Sequence, residues 1–238
     1  MIGKKLKVAK GKEMDWVAGG GGYSWKVGWG QEIIQREIIS RTKPGDRVLD
    51  LGGGEGRVSL PLAARGARVT IVDNCGDNIE YGEEQREKAG FNLKVKTVVA
   101  DVRGLRKKDV GGGVKVILAS DVVNHMTKAD ADMFIDGLPR LLNCRQGGMI
   151  YVDAPSTESG VFQYPEYHGA TRVDERTCKV TCICTGEPKK ELMPFFDSGE
   201  IEARLARQGA SIVSANTFSR GGNTELHEVV AKFGPRKK

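Results

Sequence analysis

The residues with the clearest chemical potential lie in Val48-Leu49-Asp50-Leu51-Gly52-Gly53-Gly54-Glu55-Gly56, where a β-rich run meets alternating glycines. Glycine at a strand-to-helix turn lets the backbone bend sharply and lets a ligand touch main chain. A helix starting there also presents free N–H groups and a positive partial charge. Two acids stand at matching places downstream. Asp73 closes the next β-rich run, 17 residues past Gly56, where a carboxylate can accept both hydroxyls of a ribose. Asp101 closes the run after that, and with Val102 behind it can accept from an adenine amino group. This set describes a nucleoside-containing cofactor. A dinucleotide turn needs Gly-x-Gly-x-x-Gly, and counting from Gly52 its third glycine falls on Arg57, whose long side chain obstructs a diphosphate.

A second group follows the fourth β-rich run, in Ser120-Asp121-Val122-Val123-Asn124-His125-Met126. His125 is one of three histidines, the side chain that titrates nearest neutrality, and is a candidate general base; the alternative is a packing or cofactor-contact role. Asp121 is a candidate base or holder of a substrate amine, against cofactor contact or loop structure. Tyr151 and Asp153, at the end of the fifth run, are weaker candidates. Tyr23 and Trp25, beside the glycine run 19–22, could close over a cofactor as a lid or be ordinary core aromatics. Cys178, Cys182 and Cys184 share strand parity and so one face. Neighbours two apart on a strand lie about 6.6 Å apart, awkward for joint zinc ligands, so a buried apolar-face role is expected and no metal. Cys75 and Cys144 also read as structural.

These residues must be positioned by a repeating unit of short β-rich run, loop and amphipathic helix. Strands are expected at 46–51, 68–73, 95–101, 114–120 and 149–153, with helices near 57–65, 77–89, 102–108 and 128–142. Near-continuous apolar strands alternating with helices predict a parallel sheet covered on both faces. Pro61 is tolerable only in a first helical turn, which puts the first helix start near Arg57–Val58; Gly66 and Gly90 read as helix stops. Upstream, 31–41 should form a short helix burying Ile34 and Ile38. Residues 154–196 read as a long insertion with one β-rich segment at 178–185. Asp197 with Glu200 reads as a capping box opening a helix to Arg207. Two last strands are expected at 211–218 and 227–233, joined around 221–223.

The glycine turn with its acids, Thr70-Ile71-Val72-Asp73, Ala100-Asp101-Val102, Leu118-Ala119-Ser120-Asp121 and Gly147-Gly148-Met149-Ile150-Tyr151-Val152-Asp153 resemble the class I S-adenosylmethionine-dependent methyltransferases over roughly residues 31–233. The resemblance implies an α/β, Rossmann-like doubly wound sheet of seven strands, mostly parallel with the last strand antiparallel. It also implies S-adenosylmethionine as cofactor and S-adenosylhomocysteine as product. On this pattern Gly52, Gly54 and Gly56 shape the pocket under the methionine part, Asp50 helps hold its ammonium, and Asp73 takes the ribose. Asp101 and Val102 take the adenine, with Tyr23, Trp25, Asn74 and Ser120 as further cofactor contacts and His125 and Asp121 as catalytic candidates. A narrower, partial resemblance is to the protein α-N-terminal methyltransferases, through the upstream glycine-aromatic stretch, Gly54-x-Gly56-Arg57-Val58-Ser59 and Val122-x-x-His125-Met126-Thr127. It departs at Asp121, where that family tends to carry tryptophan, and at Ala154, where it carries asparagine. Ser120-Asp121-Val122-Val123 has no proline, which disfavours amino-group methylation of nucleic-acid adenine.

The implied function is methyl transfer to an N or O nucleophile, on a small molecule first, with a protein N-terminal amine, RNA or a catalytically silent S-adenosylmethionine-binding partner subunit as alternatives. Composition sets the outer bounds. The 238 residues are 39% hydrophobic and 29% charged, enough for a packed core in one large domain. The formal charge of +6 sits in two tails. Lys4, Lys5, Lys7, Lys10 and Lys12 lie at one end, and Lys232, Arg236, Lys237 and Lys238 at the other; the remainder is about −3. Those tails are solubilising ends or a tether for RNA, acidic membrane or an import receptor, not a nucleic-acid face of the domain. The expected organisation is a basic flexible tail at 1–12, a lid and helix region at 13–44, the cofactor domain at 45–233 and a basic tail at 234–238. Lacking an apolar span or a signal-like start, the chain is expected to be cytoplasmic.

Overall fold

The computed structural model describes residues 6–8, 12–14, 34–88, 93–143, 146–182, 189–219 and 225–235. Within the segment expected to be a basic flexible tail, 1–12, and just beyond it, β1 (Leu6–Val8) and β2 (Lys12–Met14) form a two-stranded antiparallel pair. The main sheet has seven strands: β3 (Arg47–Leu51), β4 (Arg68–Asp73), β5 (Val95–Val99), β6 (Val114–Ala119), β7 (Gly148–Pro155), β11 (Ala210–Ser219) and β12 (Glu225–Phe233). Their spatial order is β5-β4-β3-β6-β7-β12-β11. Pairings from β5 through β7 are parallel, while β12 runs antiparallel to both β7 and β11. The last strand is therefore the reversed one, as the family pattern implies, and the sheet order switches direction between β3 and β6, where open α/β sheets bind ligands.

The sheet is buried on both faces because its strands are apolar throughout: in β3, Val48, Leu49 and Leu51 are all at most 1% exposed. On one face α4 (Lys128–Leu141) and α6 (Glu200–Arg207) pack Phe134, Ile135, Leu138, Ile201 and Leu205 against Leu49, Ile117, Ile150 and Val229. On the other, Ile38 from the helix at Ile34–Ile39 joins Leu62 and Ala63 of α1 (Leu60–Ala64) against Val48, Val69, Leu118 and Tyr151. Truncating a fully buried leucine here, such as Leu118→Ala, costs about 2–5 kcal/mol through lost burial and the cavity left behind.

Several elements differ from the sequence reading. The helix expected at 57–65 begins only at Leu60: residues 54–59 spend another turn first, with the Leu60 N–H on the Gly56 carbonyl, and Pro61 then falls in the first turn, where its missing N–H costs nothing. The helix expected at 102–108 splits into a 3₁₀ turn at Val102–Gly104 and α3 (Lys107–Val110), because Leu105 and Arg106 are extended. Between β4 and β5, α2 spans Gly76–Lys88. The insertion is more ordered than one strand. It holds α5 (Gly160–Gln163), β8 (Thr171–Asp174), β9 (Thr177–Cys182) and β10 (Lys189–Pro194), the strands forming an antiparallel sheet in the order β10-β9-β8. Asp197 does not cap α6 with its side chain; Gly199 is the N-cap residue at φ +83°, and the Asp197 carboxylate accepts from Thr157 Oγ1 and Arg176. Cys178 is fully buried, as expected of a strand's apolar face. Tyr23, Trp25, Gly90, Cys144, Cys184 and the side chains of Ile34 and Cys182 lie outside the described residues.

Candidate functional site

The site is built where the C-terminal ends of β3, β4, β6 and β7 come together. Leaving β3, the chain stays tied to β4 for two more residues, since the N–H groups of Gly52 and Gly53 both point to the Val72 carbonyl. It then turns through Gly52, Gly54 and Gly56 at φ +63°, +50° and +89°, a region that costs other L-residues about 1–2 kcal/mol. At Gly52 a side chain is also barred sterically: its Cβ would lie 2.6 Å from Val122 Cγ2. That contact joins the turn to the loop following β6. Gly54 is the reverse case. Its Cβ would meet nothing closer than Asp73 Oδ2 at 3.8 Å and Asn78 at 3.9 Å, so this face of the turn is open beside Asp73.

Asp73 is wired into the turn. Its Oδ2 accepts the Gly54 N–H and its Oδ1 the Cys75 N–H, both at 2.8 Å. This pairing decides what the turn can hold. The main-chain donor that would grip a phosphate is occupied by a carboxylate, so the turn repels a diphosphate, while the second lone pairs of the same carboxylate remain for hydroxyl donors. Asn74 is exposed just past the strand end. Asp50 is sealed beneath the turn, 2% exposed, so close under Gly53 that a Cβ there would lie 2.5 Å from its Oδ2. That oxygen and Ser59 Oγ lack a hydrogen-bond partner of good geometry. Burial pushes the Asp50 carboxyl up to about 7, partly offset by the nearby Ser59 hydroxyl, with the Asp73 charge adding to the rise and Arg57 opposing it. An orphaned buried acid below, an open main-chain face above and a carboxylate at its rim fit a nucleoside carrying positive charge, as a sulfonium and an ammonium would supply.

Asp101 lies just past β5, half exposed. It caps the 3₁₀ turn by accepting the Arg103 N–H at 2.9 Å and also holds the Arg103 guanidinium, which keeps its carboxyl below the usual range. Arg103 in turn reaches Asp130 at the start of α4, and Val102 packs against the core of that face.

On the other side of the switch point, Asp153 organises the loop after β6. It accepts from Ser120 Oγ at 2.8 Å and from the Asp121 N–H at 2.6 Å. Asp121 holds the one positive φ of a non-glycine among the described residues, +63°. Its carboxylate accepts from Asn124 Nδ2, while Asn124 Oδ1 is buried without a partner. His125 ends the short 3₁₀ turn at Val123–His125. Its Nδ1 lies 2.5 Å from Glu191 Oε2, on β10 of the insertion. A carboxylate only accepts, so Nδ1 carries the hydrogen and the neutral ring keeps its lone pair at Nε2.

Among the cofactor candidates, the structure thus joins Asp50, Gly52, Gly54 and Asp73 in one turn; the catalytic candidates Asp121 and His125 share one loop with the cofactor candidate Ser120; Val122 links the two groups. Asp101 stands apart at the sheet's β5 side. Glu191 and Glu228 are absent from the sequence reading, and Asn124 carries no role in it. Asn124, three residues after Asp121, is the one a local pattern could have suggested. Among the described residues no group of three His, Cys, Asp or Glu side chains could hold a metal, and no helix is long and apolar enough to cross a membrane.

Residues 48–148 match the model of a methyltransferase domain family. A "Ubiquinone biosynthesis O-methyltransferase" of Rhizobium leguminosarum bv. trifolii is 32% identical over 113 residues, 48% of this chain and 42% of the relative; the chain thus spans less than half the length of that relative. Among solved structures, a SAM-dependent methyltransferase from Methanosarcina mazei superimposes with a TM-score of 0.67 at 20% identity, covering 84% of this chain and 98% of that one. Magnesium protoporphyrin IX methyltransferase from Synechocystis PCC 6803 with bound S-adenosylhomocysteine gives 0.65 at 18% identity, covering 86% and 81%. The likeness to both structures is one of fold.

Proposed function

We propose that this chain, which belongs to the class I S-adenosylmethionine-dependent methyltransferases, moves the cofactor's methyl group to an oxygen or nitrogen nucleophile on a small molecule, a hydroxyl before an amine. The observation that carries the acceptor side is the His125–Glu191 pair, set on a loop whose Val122 abuts the glycine turn. S-Adenosylmethionine supplies, when bound, a methyl already activated on a sulfonium centre. The protein's part is to orient, exclude water and take a proton. Asp73 accepts the ribose hydroxyls, Asp101 and the Val102 amide take the adenine, and Asn74 and Ser120 flank them. Asp50 favours the positive amino-acid part from beneath the turn. His125 Nε2 takes the proton of an acceptor hydroxyl while Nδ1–H donates to Glu191, which stabilises the imidazolium that forms. Asp121 orders the loop through Asn124 and adds negative charge where an acceptor amine would be held. The insertion enters the acceptor side through Glu191. The match to a relative named as an O-methyltransferase supports the choice of oxygen.

The test is calorimetric titration with S-adenosylhomocysteine, followed by transfer of labelled methyl from S-adenosylmethionine to panels of hydroxylated and amino small molecules, with N-terminal peptides and RNA as further arms. Saturable binding with label appearing on hydroxyl compounds is expected. His125→Asn should abolish most transfer while leaving product affinity unchanged. Binding without transfer to any arm would mark a silent cofactor-binding subunit, and label on peptide or RNA alone would refute the small-molecule acceptor.

A further inference from the structure

Beneath the loop that carries Asp121 and His125, two carboxyl groups meet across one phenol. Tyr151 Oη lies 2.9 Å from Asp153 Oδ2 and 3.1 Å from Glu228 Oε2. All three side chains are at most 4% exposed, and the pair of strands sets them side by side, since β12 places Glu228 opposite Asp153. A phenol has one proton and can donate it once. Holding both contacts as hydrogen bonds therefore requires a second proton on one of the carboxyls. Asp153 is the accepting end: its Oδ1 already takes the Asp121 N–H and its Oδ2 the Ser120 hydroxyl, an environment that favours a carboxylate.

We propose that Glu228 and Tyr151 are positioning residues for methyl transfer: Glu228 carries a proton and donates it to the phenol oxygen, the phenol donates its own to Asp153, and the resulting Asp153 carboxylate clamps Ser120 and Asp121. The inference rests on the reading of that loop as the acceptor side. The clamp acts on a strained point. Asp121 sits at φ +63°, a conformation that persists only where surrounding contacts over-determine it, and the 2.6 Å bond from its N–H to Asp153 is one of those contacts, beside its carboxylate's bond from Asn124 Nδ2. Asn124 and His125 follow within four residues.

The surrounding charges agree. Burial, then the adjacent Asp153 and Glu228, hold the Tyr151 phenol well above its ordinary value, so it keeps its proton as a donor. Burial and the Asp121 charge raise the Asp153 carboxyl, while its hydrogen bonds from the Asp121 N–H, Ser120 and Tyr151 oppose that rise and favour the carboxylate. Around them, the helix at Ile34–Ile39, which packs on β7, brings Glu37, paired with Arg41. β10 and the 3₁₀ turn bring Glu191, paired with His125, and the exposed Lys190. β11 sets Asn216 opposite Glu228 and contains no charged residue. α4 packs on the opposite face, through Ile150 and Val152. Removing the shared proton at high pH leaves one phenol hydrogen for two buried carboxylates, so the clamp loosens with alkalinity.

Infrared spectroscopy of the full chain with glutamate-selective ¹³C labelling tests where the proton sits and separates Glu228 from Asp50. A glutamic-acid C=O band at neutral pH, absent in Glu228→Gln, is expected; absence of any label-sensitive acid band, or its survival in Glu228→Gln, overturns the proposal. In amide NMR spectra the Asp121 resonance should move with pH in step with loss of that band, and stay still in Glu228→Gln, whose amide mimics the protonated acid. Equal movement in both proteins overturns it, and Tyr151→Phe, which cuts the chain at its centre, should remove the coupling between band and resonance. Neither measurement needs a methyl acceptor, so a failure of methyl transfer and a failure of this clamp are read separately.

Discussion

Gly54→Ala separates what the glycine turn does for folding from what it does for the cofactor. Gly54 sits at φ +50°, and an added Cβ would meet no protein atom nearer than 3.8 Å. The substitution therefore carries only the left-handed backbone penalty, about 1–2 kcal/mol. For a chain of this size that lowers the melting temperature by about 2–8 °C. If a ligand lies against this main chain, the same methyl occupies its space, and an overpacking cost of about 1–3 kcal/mol weakens binding roughly 5- to 150-fold. Gly45 supplies the control. It has φ +87° with no heavy atom within 4 Å of its Cβ, and it precedes β3 at the end of the strand opposite the turn. Gly45→Ala should cost similar stability and leave binding untouched. Calorimetric titration with S-adenosylhomocysteine beside thermal unfolding of both variants gives the two quantities. Equal affinity in Gly54→Ala and Gly45→Ala would refute the placement of the cofactor against this turn.

Asp50→Asn should change how stability depends on pH. The wild-type carboxyl is raised from 3.8 to about 7 in the fold, so between these values the native state holds a proton that the unfolded chain has released. The stability this contributes is complete below about pH 4 and lost as pH rises through about 7, up to roughly 4 kcal/mol. Melting temperatures measured from pH 4 to 8 should converge or cross, with the asparagine variant the more stable above 7; parallel curves would show that Asp50 is ionised throughout. Glu191→Gln should lower turnover with the identified acceptor, by less than the roughly 10²–10⁴ that a positioned base contributes, and leave S-adenosylhomocysteine affinity unchanged in calorimetry. A matched loss of both would make Glu191 a residue of the cofactor pocket rather than an orienter of His125.

The two halves of the site differ in how far sequence reveals them, and the reason is physical. The cofactor half is made of backbone at strand ends. Its glycines must follow a strand, and its acids must close the next strands, so Asp50, Gly52, Gly54, Asp73 and Asp101 are all set by local chain order. The sheet order follows from the same alternation of apolar strands and helices. The acceptor half is made of side chains brought together by pairing. His125 meets Glu191 across 66 residues, and Tyr151 meets Glu228 across 77; neither partner carries a local signal, because strand register is fixed by packing rather than spacing. The insertion's sheet was hidden for a related reason: every residue of β8 is exposed, so no apolar alternation announces it. Gly82 shows the same limit inside a helix. A Cβ there would come within 2.9 Å of Glu55 Cα, so α2 lies hard against the turn, yet its sequence reads only as a polar helix. A half built on backbone constrains what can be bound by geometry alone, whereas a half built on an insertion and a reversed strand can change its acceptor without disturbing the turn. On the proposed function, acceptor specificity therefore resides in Glu191, Asp153 and Glu228 and the loop they hold, and cofactor choice in residues 50–73.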